Sequence, residues 1–296
     1  MNQSGVLRWA KLIYFSGIIM LTSNSNAESI MKTNYVVSFN AHDTFCMVKV
    51  NDILITDNTD ATQGNYIISK TISSLLNNGA NTLSVTMPSD SLKNNMWCSA
   101  TIKEINNQTT LVGVKLIVED KEIKPDENFY SSKVDYFGSS PRANSTEEGM
   151  LEITKTFLVK DLPDWNWTKG RPITDKDIPQ VKAFYQSLQE AFKQQDLDKI
   201  YEMTKGMWEI LAKEQGCTPQ KMWDSMNFKK FFEQGYKYSP VDWNEYELNS
   251  YMNGRLFRYE VGYGRISPIE IQTSNGDFFS LDPYLSIIDG KVIVVR

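Results

Sequence analysis

The residues best suited to chemistry gather near the C-terminal end of the chain. Asp242, Glu245 and Glu247 share one short segment with Trp243, Tyr246 and Tyr251. Two carboxylates at a fixed separation could serve as the acid and base of glycoside hydrolysis. These three lie in a single segment with no second partner in view, so an acidic aromatic surface describes them better. Trp and Tyr bring large contact area with few rotors, which suits a protein partner. The plain alternative is a strand with one face on the core. Trp165 and Trp167 lie two apart, so in an extended chain both rings face one side. They could stack on a sugar or a partner, or they could glue two domains together. The expected partner-binding set is therefore Asp242, Trp243, Glu245, Tyr246, Tyr251, Trp165 and Trp167.

Other constellations carry less. His42, followed by Asp43, is the single histidine of the chain. A triad needs a nucleophile and base held together, and no Gly-x-Ser-x-Gly motif is written here; a hydrogen-bonded histidine at a strand end is the expectation. One His and no paired Cys motif give no transition-metal site. Asp57, Asp60, Asp126, Glu127 and Asp135 could lend oxygens to Ca²⁺, which needs six to eight of them. Turn chemistry accounts for these residues more simply, so no cofactor is assigned and Ca²⁺ is kept as the minor alternative. Gly262-Tyr263-Gly264 lacks the third glycine and the strand-to-helix setting of a dinucleotide loop. No catalytic residue is assigned, and the chain is read as a non-enzyme.

The elements that must position these residues begin with the stretch from Ile178 to Gly216. Ile178, Val181, Phe184, Tyr185, Leu188 and Phe192 mark one helix face, and Leu197, Ile200, Tyr201, Thr204, Met207, Trp208 and Leu211 mark a second. Asp196 stands where the two patterns meet and can cap the second helix. Thr218 and Pro219 open a third helix as cap and first residue. Beyond Gly235 the period changes to two, and Asn253-Gly254, Asn275-Gly276 and Asp289-Gly290 are type I′ hairpin signals. Helices followed by an antiparallel meander sheet make an α+β domain over 173–296.

Ahead of it, residues 28–160 read as an all-β sandwich. VVSFNA, CMVKVNDILIT, NYIISKTI, NTLSVTM, WCSATIKEI, TTLVGVKLIVE and LEITKTFLV are short and β-branched, separated by Asn- and Asp-rich turns. Ser139 to Gly149 reads as a polar loop, and residues 161–172, with two prolines and a glycine, as the interdomain linker. Of the three cysteines, Cys46 and Cys98 fall in strands of this first domain and are the expected disulfide, leaving Cys217 over. The fold class expected is thus two-domain, a β-sandwich followed by an α+β domain.

Residues 1–27 carry the features of a cleaved signal peptide: basic Arg8 and Lys11, apolar Leu12 to Leu21, and Ser25-Asn26-Ala27. Its loss would take the formal net charge from -5 to -7. An acidic chain disfavours a nucleic-acid partner. No later run spans a bilayer, so no stable membrane anchor follows cleavage, and the expected compartment is the periplasm.

Two resemblances follow from these residues. VKVNDILITDN with LLNNGANTLSVTM resembles jelly-roll and galactose-binding-like modules, over about forty residues. The helix pair joined by Lys193-Gln194-Gln195-Asp196-Leu197, followed by strands, resembles the nuclear transport factor 2-like, cone-shaped α+β fold. The latter implies a helix pair packed in a curved sheet, with a cone that holds a small molecule or is filled by side chains. Enzymes of that family place His–Asp or Tyr–Asp there, and this half contains no histidine. The expectation is a non-catalytic periplasmic protein-binding protein, most specifically an immunity protein against a secreted antibacterial effector. The alternatives are a carbohydrate or cell-wall binder and an enzyme using the cone.

Overall fold

The computed structural model describes residues 34–130, 135–139, 147–235, 237–238, 241–262, 264–272 and 278–296. The export-signal features, the Asn275-Gly276 hairpin, Tyr263 and most of the polar loop lie outside the described residues.

The N-terminal part is β-rich. Its strands are β1 (Tyr35–His42), β2 (Met47–Val50), β3 (Ile53–Asp57), β4 (Asn65–Thr71), β5 (Gly79–Pro88), β6 (Trp97–Glu104), β7 (Thr109–Glu119), β8 (Glu122–Pro125), β9 (Tyr136–Ser139) and β10 (Met150–Val159). Alternation explains their placement: β1 buries Tyr35, Val37, Phe39 and Ala41 and turns the residues between them outward. Two five-stranded antiparallel sheets result, in the orders β4-β1-β6-β7-β8 and β3-β2-β5-β10-β9. Their facing sides share one apolar core that includes Phe39, Val85, Val114 and Ile153. This is the sandwich-like arrangement expected, and the Cys46–Cys98 disulfide joins the two sheets across it. The sequence reading missed β8 and β9, which are only four residues each.

The C-terminal part mixes helices and strands. It contains α1 (Ile178–Lys193), α2 (Leu197–Gln215), α3 (Pro219–Met226) and α4 (Phe228–Glu233). The expected caps are present: the Asp196 carboxylate accepts from Lys199 N at 3.0 Å, and Thr218 Oγ1 accepts from Lys221 N at 3.2 Å. Asn227, with φ 52°, breaks the apolar run into α3 and α4. The strands are β11 (Lys237–Tyr238), β12 (Glu247–Tyr251), β13 (Leu256–Glu260), β14 (Glu270–Gln272), β15 (Phe278–Ser280), β16 (Leu285–Ile288) and β17 (Lys291–Val294). Asp289 and Gly290, both with positive φ, make the two-residue turn between β16 and β17. Instead of one meander, the strands form two antiparallel sheets, β11-β14-β15 and β12-β13-β16-β17. The break falls at Leu281–Tyr284, where Asp282 Oδ1 accepts from Ser267 N at 2.8 Å and Pro283 withholds a ladder donor.

The four-stranded sheet is covered on both faces, and β13 is buried throughout. Phe257, Tyr259, Leu285 and Val294 face α1 and α2. Gly206 lets α2 approach β17 so closely that a Cβ there would collide with the Val294 carbonyl. On the opposite face Leu256, Tyr251, Tyr284 and Val295 pack with Ile53 and Leu75 of the β-rich part. Segment 161–172 fills the remainder of this seam instead of serving as a slack linker. Residues Asn166–Lys169 form a 3₁₀ turn, and Arg171 N bonds Ile287 O at 3.1 Å.

Candidate binding surfaces

The turn leading into β12 is built from its own side chains. Asp242 Oδ1 accepts from Asn244 N at 3.0 Å and from Asn244 Nδ2 at 2.9 Å, closing an Asx turn. This presents Trp243 edge-on to Tyr259 at 5.1 Å and to Tyr185 at 6.2 Å between ring centroids. The Lys182 ammonium lies 5.0 Å from the centre of the Trp243 ring. Tyr246 follows at 6.4 Å from Trp243. Both rings are half-buried, while Asp242, Asn244, Glu245 and Glu247 are exposed. Burial, then the carboxylates of Glu270, Glu245 and Asp282, push the Tyr246 phenol up to about 12. The structure thus brings Asp242, Trp243, Glu245 and Tyr246 together on a supported surface.

It separates Tyr251, Trp165 and Trp167 from them. Tyr251 is 3% exposed and lies on the seam face of the sheet. Trp165 and Trp167, 2% and 0% exposed, sit in the same seam, and the Trp167 indole donates to Ser74 O at 2.8 Å. The assumption of an extended chain fails here because Trp167 lies in a 3₁₀ turn. Neither these two indoles nor Tyr251 presents a face to a partner; they join the two parts of the molecule, the alternative recognised for the tryptophans.

The polar half of the seam was not foreseen. Three cations, Lys49, Arg258 and Arg265, meet three carboxylates, Glu147, Glu152 and Glu260. Lys49 Nζ reaches Glu147 at 2.7 Å and Glu152 at 3.0 Å, while Arg265 Nη2 reaches the other oxygen of Glu147 at 2.6 Å. Arg265 Nη1 also donates to Asp52 O at 3.0 Å and to the Tyr251 hydroxyl at 2.9 Å, and that hydroxyl donates to Glu260. Arg258 Nε bonds Glu260 at 2.8 Å and its guanidinium lies 4.4 Å from the Tyr284 ring centre. Burial works against the Glu147 charge, but Lys49 and Arg265 together outweigh it and hold the carboxyl below its ordinary value. Burial likewise opposes the Arg265 charge, and Tyr251, Glu260 and Glu147 raise it overall. The one sequence signal was Lys49, a charge inside the apolar run CMVKV.

A third region lies on the outer face of the first sheet. His42 stacks near Trp97 at 6.1 Å, and Lys115 Nζ lies 5.7 Å from the Trp97 ring centre. His42 Nδ1 is 2.9 Å from Asn65 Oδ1, the expected hydrogen-bonded strand-end histidine. Three of the five carboxylates considered for Ca²⁺ are engaged in turns and ion pairs. Asp57 Oδ1 accepts from Thr59 N at 3.0 Å, Asp126 lies 3.5 Å from Lys115 Nζ, and Asp135 accepts from Thr156 N. Among the described residues, no group of three or more His, Cys, Asp or Glu gathers to hold a metal. Cys217 is half-buried and lies outside the Cys46–Cys98 disulfide. No helix among the described residues is long and apolar enough to cross a membrane.

No family model, curated protein or solved structure matches this chain.

Proposed function

We propose that this chain is a non-catalytic binding protein that engages a protein partner through the turn at Asp242–Glu247. The observation that carries the reading is the state of Trp243 and Tyr246. Both rings stay half-exposed, yet Tyr185 and Tyr259 hold Trp243 from beneath, so little side-chain entropy is lost on docking. Asp242, Glu245 and Glu247 around them select a partner with a basic surface. Packed side chains, among them Tyr185, Phe192, Trp208 and Phe257, fill the space between the helix pair and the sheet. That supports binding over catalysis in a cone, and we read the C-terminal part as a side-chain-filled form of the nuclear transport factor 2-like layout.

In its most specific form the proposal is an exported immunity protein that neutralises a secreted antibacterial effector in the cell envelope. The Cys46–Cys98 disulfide is compatible with an exported protein. The test is affinity capture from envelope and secreted fractions of the source bacterium, with the wild type and Trp243→Ala side by side. One stoichiometric secreted protein is expected on the wild type. Loss of a central Trp anchor should weaken its binding by about 30-fold, the equivalent of roughly 2 kcal/mol. Retention of cell-wall fragments alone would overturn the reading. It would favour the second one, a carbohydrate-binding face at Trp97, His42 and Asn65, which the stacked His42–Trp97 pair supports.

A further inference from the structure

Antiparallel sheets end in strands whose outer N–H and C=O groups have no ladder partner, and folded proteins cover or charge such edges. Most edges here follow that rule. At one end of the second sheet, β3 carries Asp57, pairs with a register-shifted β2, and has its Ile55 carbonyl capped by Lys70 Nζ at 2.8 Å. At the far end of the first sheet, β8 is four residues long and contains Glu122, Lys124 and Pro125. β9 is equally short, and β12 begins with the exposed Glu247.

The exception is β4. It runs seven residues, NYIISKT, without proline, glycine or a register shift against β1. Its single charge, Lys70, is turned to the Ile55 carbonyl. Ile67 is 74% exposed, the highest value among the large apolar side chains described. The bonds Ile72 N to Tyr35 O and Asp43 N to Gly64 O, both 3.0 Å, fix the phase of the β1–β4 ladder. By alternation, Tyr66, Ile68 and Lys70 bond β1, while the backbone groups of Asn65, Ile67, Ser69 and Thr71 point away from it. Water solvates such a row in the free chain, and an added extended strand would pair with all of it.

We infer that this strand is a second copy of the same chain, with β4 pairing antiparallel to β4 about a twofold axis at Ile68. Charge decides the occupant. At a formal net charge of -5, two copies of this molecule repel one another overall. The face formed by Val36, Ser38, Asn40 and His42 of β1 with Asn65, Ile67, Ser69 and Thr71 of β4 contains no Asp, Glu, Lys or Arg. Pairing at that axis sets Ile67 opposite Ser69 and Asn65 opposite Thr71. All four outward backbone pairs are then used, and two five-stranded sheets become one of ten strands. The inference is independent of the partner surface at Asp242–Glu247.

The experiment is sedimentation velocity of the purified chain from about 1 to about 100 µM, with amide hydrogen exchange at both ends of that range. A concentration-dependent dimer is expected, with protection at Ile67, Ser69 and Thr71 rising as it forms. Ile67→Lys, at an exposed site that tolerates charge, should raise the dissociation constant by about tenfold or more. Ser69→Pro, which deletes one outward N–H, should act in the same direction, while Leu158→Lys, at an exposed apolar residue elsewhere, should leave the dimer intact. Circular dichroism checks that each variant folds. A monomer at every concentration would overturn the inference. So would a dimer indifferent to Ile67→Lys, or β4 amides protected only when a strand of another protein is added.

Discussion

The seam and the Asp242–Glu247 turn use the same residue types to opposite ends. Both combine carboxylates with Tyr and Trp. In the seam each carboxylate meets a cation, and the aromatic residues are buried on both sides, so sliding one part past the other would strand a charge in a dry interior. At the turn the carboxylates point to water and the rings are held on one side only. The lesson is that composition does not separate a structural aromatic from a binding one. Coverage by the rest of the chain does, and here it is a sheet buried on both faces that divides them.

Breaking the seam should produce the largest effect. Glu147→Ala leaves Lys49 and Arg265 without their shared partner in a region where both cations are buried. Removing one member of a buried pair typically costs about 3–5 kcal/mol, and the urea midpoint should fall accordingly. Glu147→Gln, which keeps the side-chain volume and one of the two acceptors, should cost less. Equal losses from the two variants would mean that packing, and not charge, holds the seam.

Acid probes the same contrast with a smaller effect. Glu147 is held below its ordinary value of 4.5, so its contribution to stability is fully present above that pH. The contribution falls as pH drops through the folded value, because the unfolded chain then binds more protons. Stability of the wild type should therefore decline below about pH 4.5 more steeply than that of Glu147→Gln. Unfolding midpoints measured between about pH 3 and 7 check the sign. Parallel curves for the two proteins would remove Glu147 from the acid response.

Much of this arrangement was legible in the sequence, and the failures have physical causes. Period-two runs marked β1 through β7, and the Asp196 and Thr218 caps marked the starts of α2 and α3. The helix pattern for α2 missed Ile210 and Glu214, because its C-terminal turns are buried by the β-rich part as well as by the sheet. Glu214 accepts from Ser74 N at 2.6 Å, a contact between residues 140 apart that no local pattern encodes. The burial of Tyr251 was missed for the same reason, whereas Trp165 and Trp167 take the domain-joining one of their two readings. Periodicity shows which face of an element is apolar, but it does not reveal a second covering layer. Trp243 and Tyr246 stay half-exposed beside Asp242, Glu245 and Glu247, neighbours that are local in sequence.

The smallest effect on stability should come from the turn, and this prediction sharpens the comparison most. Asp242 caps its own Asx turn, so Glu245 is the cleaner position for a change of sign. Exposed substitutions away from such contacts usually shift stability by no more than about 0.5 kcal/mol. Glu245→Lys should therefore unfold with the wild type in urea. It also removes one negative neighbour of Tyr246, so the phenol should titrate below its present position near 12, which ultraviolet difference titration reads directly. A loss of stability approaching that of Glu147→Ala would show that the turn is part of the core's support. An unchanged midpoint with a lowered Tyr246 titration would place its charges outside the fold's energetics and leave them available for an external partner.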